Sequence, residues 1–348
     1  MSTDRTVESE VLSLLQGGLR NYWYCIAASW EVGDKPVGVT RLGEKLVLWR
    51  DQSGKVHVQE DQCPHRAAAL SVGAVVDGLL TCGYHGVQID GEGRVADVPA
   101  YRECPYIGEK LVKTYPSFEY YQGIFAWFGD EAHQDPLPLE IPDDLATEER
   151  SGILHVNTWR CNWNYIMENV ADPMHAPYLH FTSFNLGKGA RSDRIKIKDT
   201  AHGFEVFRDA QRDADFDWAQ FVDTGSTFYQ RVEVFYPPAC GPGGPLKICF
   251  FTTPIDDRHT RIHVWRMRET TGWQRDLWQF LFKTQLVKFA DGVLEQDKVG
   301  VETMPMWPPR ENLYQHDIGV ARLRRHFRTK AEAQVRERHN RPALQVAE

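Results

Sequence analysis

Cys63-Pro64-His65-Arg66 and Cys82-Gly83-Tyr84-His85-Gly86 are the stretches on which the fold of this chain turns. Each carries a cysteine and a histidine where a strand-like run meets a turn bearing proline or glycine, so both loops can project side chains to a common point. Four thiolate and imidazole ligands suit tetrahedral zinc. They also suit a two-iron, two-sulfur cluster in which two cysteines bind one iron and two histidines the other. Spacing favours the cluster. Zinc pairs usually leave two or more residues between ligands, whereas Pro64 alone separates Cys63 from His65.

Outward from these loops, residues 22–130 read as short strands punctuated by turns. Val47-Leu48-Trp49 and Val56-His57-Val58-Gln59 flank a turn at residues 51–55, and Val87-Gln88-Ile89 precedes the turn Asp90-Gly91-Glu92-Gly93. Gly123 to Phe128 is a further β-branched and aromatic run. Many short strands with regular turn signals predict a small all-β domain. The proline-rich stretch His133 to Pro142 marks a boundary. Beyond it, strand-like runs at residues 153–159, 204–207, 228–236, 248–251 and 261–265 alternate with a helix at residues 162–170 and helical periodicity from Trp273 to Val301. The expectation is an α+β chain: an N-terminal all-β domain over 22–130 and a C-terminal α+β domain over 140–348, its antiparallel sheet flanked by helices. The arginine-rich tail from Ala321 to Asn340 reads as a solvated helix.

The chain has 348 residues, long enough for two cores. Its net charge of −8 argues against a nucleic-acid binder built on bulk charge. Met1 to Glu10 is polar and acidic, without the basic start and apolar core of a secretory signal. No run reaches the ~18 apolar residues of a membrane span. Seven scattered cysteines fit a reduced, cytoplasmic protein in which some thiols bind metal. Cys25, Cys104, Cys161, Cys240 and Cys249 read as small core residues or free thiols.

A second constellation lies at Asp172-Pro173-Met174-His175-Ala176-Pro177-Tyr178-Leu179-His180. His175 and His180, five apart, do not share a face of a straight helix, and Pro177 is expected to interrupt the backbone so that they converge. A carboxylate would complete a two-histidine, one-carboxylate site with open positions. Taken alone, the pair also reads as ordinary helix-end histidines. Far downstream, Phe289, Val293, Asp297 and Val301 recur at i, i+4 steps, which puts Asp297 on an apolar stripe. A carboxylate there needs a metal or a cationic partner, such as an arginine.

Cys-X-His, sixteen intervening residues, then Cys-X-X-His is the Rieske signature, and with Asp172-X-X-His175-X4-His180 downstream the chain resembles the Rieske non-heme iron oxygenases over roughly Asn21 to Pro308. It looks like the terminal oxygenase (α-subunit) branch of phthalate dioxygenase, the vanillate and dicamba O-demethylases and the caffeine N-demethylases. The resemblance implies a [2Fe-2S] cluster on Cys63, His65, Cys82 and His85, and one Fe(II) on His175, His180 and Asp297. Glu295 is the fallback for Asp297, because family members usually carry an acidic pair where this chain has Gln296-Asp297. Val87 stands where tryptophan is frequent. Asp172 is implied to be a bridging acid that accepts a hydrogen bond from His175 and, across a subunit interface, from His85 of a neighbour. A head-to-tail homotrimer follows from that bridge.

By the same resemblance, a separate reductase, with or without a ferredoxin, supplies electrons, and O2 is spent on a small organic molecule by hydroxylation, O- or N-dealkylation or cis-dihydroxylation. An electron-transfer protein without a working second iron is the alternative. An aromatic or other flat hydrophobic substrate is expected, met by some of Phe216, Trp218, Phe221, Phe228, Tyr229, Phe250, Phe251, Trp265 and Trp278. Arg208, Arg212 and Arg231 are candidates for holding a carboxylate.

Overall fold

A computed structural model describes residues 2–130, 133, 135–142, 145, 150–183, 185–209 and 218–340. The strands run β1 (Trp23–Ala28), β2 (Val37–Arg41), β3 (Glu44–Arg50), β4 (Val56–Glu60), β5 (Ala74–Val76), β6 (Leu79–Thr81), β7 (Gln88–Ile89), β8 (Val95–Asp97), β9 (Thr114–Tyr115), β10 (Ser117–Tyr120) and β11 (Gly123–Trp127) in the first part. They pair into three small sheets, ordered β1-β11-β10, β2-β3-β4-β9 and β5-β6-β7-β8. The hairpins anticipated around residues 51–55 and 90–93 are β3–β4 and β7–β8, both antiparallel. This part is all-β, as expected.

The second part is built on one antiparallel sheet of β12 (Arg150–Trp159), β13 (Ile195–Thr200), β14 (Gly203–Arg208), β15 (Trp218–Asp223), β16 (Phe228–Val234), β17 (Leu246–Pro254) and β18 (Thr260–Glu269), in the order β12-β18-β17-β16-β15-β14-β13. Its two faces carry different residues because side chains alternate along a strand. On one face Val232, Ile248 and Arg266 lie in register across β16, β17 and β18, with Phe250 and Val264 in the next row. On the other, Tyr229, Cys249, Phe251, Trp265 and Met267 join Trp23, Cys25, Phe125 and Trp127 in one buried cluster. Phe125 packs edge-on against Phe251 at 5.3 Å and stacks on Trp265 at 6.3 Å. A Cβ on Gly123 would come within 2.9 Å of the Trp265 ring, so only glycine lets β11 approach this closely. The aromatic residues of β17 and β18 therefore join the two parts of the chain.

Helices cover the first face. Helix α1 (Ser2–Gly17) opens the chain, α2 (Trp163–Ala171) follows β12, and α3 (Ala176–Leu179) is a single turn. Beyond β18 come α4 (Gly272–Leu281), a π turn at Phe282–Leu286, α5 (Val287–Val301) and α6 (Ile318–Asn340). Asn162 caps α2 by accepting from the Asn164 amide. α2 is buried on nearly all sides, as a helix sandwiched between layers must be. α6 is less solvated than its arginine content predicts. Val320, Leu323, Phe327, Ala331 and Val335 form a buried stripe at helical spacing. The segment expected to be a boundary is tied down where it is described: Trp23 Nε1 donates to Leu137 O at 2.7 Å, and Ser226 Oγ to Pro138 O at 2.7 Å. Among the described residues no helix is long and apolar enough to cross a membrane.

Candidate metal centres

The two Cys-His loops have the same backbone design. In the first, the Cys63 amide donates to Ala68 O at 2.8 Å and the Ala67 amide to Cys63 O at 2.9 Å. In the second, the Cys82 amide donates to Val87 O at 2.8 Å and the Gly86 amide to Cys82 O at 3.0 Å. Both close through a left-handed residue four positions after the cysteine, Ala67 at φ 56° and Gly86 at φ 73°. Each loop thus folds its cysteine inward and leaves its histidine outside. Cys63 and Cys82 are each 2% exposed, within a core that includes Leu70, Leu80, Val87 and Ile89. His65 and His85 are exposed, their rings edge to face at 4.7 Å. Burial pushes the Cys63 thiol up, and backbone donors at His65 and Arg66 oppose that shift. Paired buried thiols beside paired exposed imidazoles fit a cluster with one thiolate-bound and one imidazole-bound iron.

The second constellation is assembled from α2, α3 and α5. α2 ends at Ala171, and Asp172 caps it with φ −112° and ψ 87°. The chain break therefore lies at Asp172–Met174 and not at Pro177. Pro177 sits in the first turn of α3, where a missing N–H costs nothing, while His175 and His180 cap the two ends of that turn. Both imidazoles face Asp297 Oδ1 through Nε2, His175 at 3.4 Å and His180 at 3.2 Å. Ligand atoms sharing one ion at right angles lie about 3 Å apart when each bond is about 2 Å. The observed spacing fits. His180 and Asp297 are buried, and the three residues are the only cluster of potential metal ligands among the described residues where such atoms lie within 4.8 Å of one another. Burial would raise the Asp297 carboxyl, but hydrogen bonds from His175 and His180 hold it at about 2. Burial also opposes a charged His175, yet Asp297 keeps that imidazole above its ordinary range.

The Nδ1 atoms are occupied elsewhere, which turns each Nε2 toward the centre. His180 Nδ1 donates to Gln296 Oε1 at 2.9 Å, and Gln296 Nε2 donates to Thr182 Oγ1 at 3.3 Å. His175 Nδ1 donates to Asp172 through the backbone carbonyl, which corrects the expectation of a bond to the carboxylate. The Asp172 carboxylate instead accepts the Met174 amide at 2.9 Å, because the turn after α2 folds the side chain back over its own backbone. Burial raises the Asp172 carboxyl. Asn169 Nδ2 donates to Asp297 Oδ1 at 3.1 Å. Glu295, the fallback ligand, is exposed and takes no part.

A cavity opens beside the three residues, with about 750 Å³ between its walls including the mouth. Of the nine aromatic residues among which lining was expected, Phe250 alone of those described lines it; Phe216 lies outside the described residues. Tyr229, Phe251 and Trp265 alternate onto the opposite face of the sheet. Val232, Val234, Leu246, Ile248 and Val264 form the floor, and Tyr236 and Phe289 are the other aromatic residues on the wall. Arg208 is fully buried, donating to Pro173 O at 3.2 Å and Ala190 O at 3.1 Å, so it braces the loop before His175 and does not face the cavity. Arg231 donates to Gln220 Oε1 at 3.0 Å. Arg212 lies outside the described residues. The charged residue that does face the cavity, Arg266, sits mid-strand in an apolar run, and no pattern in the sequence marks it.

Comparison with known proteins gives two family matches. The Rieske [2Fe-2S] domain matches residues 22–116, and the vanillate O-demethylase oxygenase C-terminal domain matches residues 159–333. The chain is 36% identical over 167 residues to the vanillate O-demethylase oxygenase subunit of Pseudomonas sp. (strain HR199 / DSM 7063), covering 47% of this chain and 46% of that protein. The matched stretch thus spans about half the length of that relative. It is 29% identical over 321 residues to the 4beta-methylsterol monooxygenase of Methylococcus capsulatus (strain ATCC 33009 / NCIMB 11132 / Bath), covering 84% of each. The fold matches the reduced complex between oxygenase and ferredoxin in carbazole 1,9a-dioxygenase with a TM-score of 0.73 and 21% identity, over 93% of this chain and 94% of that one.

Proposed function

Since the chain belongs to the family of Rieske oxygenases that share the vanillate O-demethylase C-terminal domain, we propose that it is the terminal oxygenase component of a multicomponent system. The reaction is insertion of oxygen from O2 into a hydrophobic small molecule. The observation that carries this reading is the convergence of His175, His180 and Asp297 at the end of an apolar cavity. Cys63, His65, Cys82 and His85 hold the [2Fe-2S] cluster in this reading, and the cluster domain extends over 22–130 with the catalytic domain over 140–348. The ends of the two family matches support that division.

When bound, the cluster supplies single electrons and the Fe(II) supplies open positions for O2. The chain's own residues set the rest. Gln296 and the Asp172 carbonyl fix the two imidazoles so that Nε2 faces the metal position. Asn169 holds Asp297 from α2. The aliphatic floor excludes water from the end of the cavity where the reaction takes place. Asp172 accepts the Met174 amide through Oδ1, and in this reading its carboxylate also accepts from His85 of a neighbouring subunit. A head-to-tail trimer would supply that contact. A reductase delivers the electrons, with a ferredoxin between them in the manner of the carbazole system.

Metal analysis of the purified protein tests the reading. It should give about three irons and about two acid-labile sulfides per chain, and O2 uptake with a surrogate reductase should depend on added substrate. Two irons per chain, with no substrate-dependent uptake, would leave only an electron carrier.

A further inference from the structure

Arg266 is the one charged side chain on the cavity wall apart from the metal-site residues, among the described residues. It is 2% exposed. Nη1 donates to Asp291 Oδ1 at 2.7 Å, Nη2 to Ala290 O at 3.2 Å, and the guanidinium lies 5.7 Å from the Phe282 ring centroid. His155 Nδ1 stands 3.4 Å from the same Asp291 oxygen. The guanidinium has five N–H donors, so donors remain beyond these two bonds. Its charge, however, is already cancelled by Asp291.

That cancellation decides what can sit beside it. A carboxylate brought here would lose its hydration without meeting a net positive charge, and that is costly in an apolar cavity. A neutral carbonyl or hydroxyl oxygen gives up far less water and can still accept from the guanidinium. Branched aliphatic residues make up most of the apolar wall, and Tyr236, Phe250 and Phe289 add three rings to it. α5 provides a ruler. Ala290 and Asp291 precede Asp297 by two helical turns, which places the Arg266 anchor about 10 Å along the helix from the metal position.

We infer that the cavity takes a neutral, largely apolar molecule whose hydrogen-bond acceptor is held by Arg266, with the carbon to be oxidised about 10 Å away at His175, His180 and Asp297. Arg266 and its neutralising partner Asp291 are the specificity-determining pair. The inference rests on the oxygenase reading for the identity of the reacting end, but its test does not need turnover.

Two probes with one skeleton provide that test: 4-tert-butylcyclohexanone and 4-tert-butylcyclohexanecarboxylate, titrated calorimetrically and anaerobically into the iron-loaded protein. The ketone should bind at least about tenfold more tightly than the acid. Asp291→Asn should tighten the carboxylate by about tenfold and leave the ketone within about twofold, because it unmasks the Arg266 charge. Any direct contact of the acid with iron is common to both proteins and cancels in this comparison. Asp291→Glu should restore the wild-type preference, which separates charge from misfolding. Wild-type preference for the acid, no response to Asp291→Asn, or binding of neither probe would each overturn the inference. Iron and sulfide content of the same samples reports separately on the oxygenase reading.

Discussion

Gln296 is the residue on which the mononuclear site turns in a way specific to this chain. Its amide oxygen accepts from His180 Nδ1 while its amide nitrogen reaches Thr182, so one side chain fixes the imidazole and anchors it to the loop beyond α3. Losing such an outer partner typically costs ~10–100-fold in metal affinity. Gln296→Ala should therefore lower iron retention against a chelator by about that factor, with the visible absorbance of the cluster unchanged. Gln296→Glu keeps an acceptor at the same place and should retain iron. The neighbouring acids separate just as sharply: Asp297→Asn should abolish mononuclear iron, whereas Glu295→Gln should leave it, because Glu295 is exposed. Iron counts against labile sulfide distinguish these outcomes. His175, His180 and Asp297 were legible through the resemblance to the oxygenase family; spacing and an apolar stripe alone left helix-end histidines and a salt-bridged carboxylate open. Gln296 was legible only as a departure from an acidic pair. Its partner lies 116 residues away, and nothing local announces a hydrogen bond over that separation.

At the scale of elements, the alternation of strands explains both what sequence reading found and what it misplaced. Aromatic runs marked β16, β17 and β18 correctly, since such residues favour strands. Which face each residue takes depends on register, and register is set by pairing with distant strands. That is why the sequence could not say which of the aromatic candidates line the cavity, and Trp265 and Phe251 are found joining the two parts of the chain. The N-terminal helix went unread for a different reason: its first residues are polar, and its buried side, Val11, Leu14 and Leu15, is defined by α6 from the far end of the chain. There the packing is fastened by charge. Asp223 on β15 accepts from His326 Nε2 at 2.6 Å and from the Tyr22 hydroxyl at 3.0 Å, and Lys330 Nζ lies 3.1 Å away. Burial would raise this carboxyl, but His326 and Lys330 bring it down to about 2. A depressed carboxyl contributes stability that is complete above the unfolded value near 4 and is lost as pH falls toward the folded one. Asp223→Asn should therefore cost about 2 kcal/mol at neutral pH, and its gap to wild type should close between about pH 4 and pH 2. Urea unfolding at several pH values measures that gap; one that stayed constant would place the stabilisation elsewhere.

The Cys-His loops and the group of His175, His180 and Asp297 belong to different parts of the chain. Cys63 and Cys82 face a core, while His65 and His85 face outward beside exposed Tyr84, Tyr101 and Tyr106. His175, His180 and Asp297 line a cavity together with residues of α2 and α5. In the proposed reading, exposed imidazoles on one chain and the Asp172 carboxylate on the next form a relay between subunits. A relay of that kind has a signature that an intrachain path lacks. A chain without a cluster (Cys63→Ser) and a chain without mononuclear iron (Asp297→Asn) should each be inactive in substrate-dependent O2 uptake. Co-assembled in equal amounts, they should regain activity, because cluster and iron need only be live on adjacent chains. In a head-to-tail ring assembled at random, about one contact in four joins a live cluster to a live iron, so about a quarter of wild-type activity should return. Adding Asp172→Ala to the chain that keeps its iron should abolish the recovery while both metals stay bound. Mixed oligomers that remain silent, in a preparation shown to contain both chains, would place electron transfer within a single subunit and remove the reason for a ring.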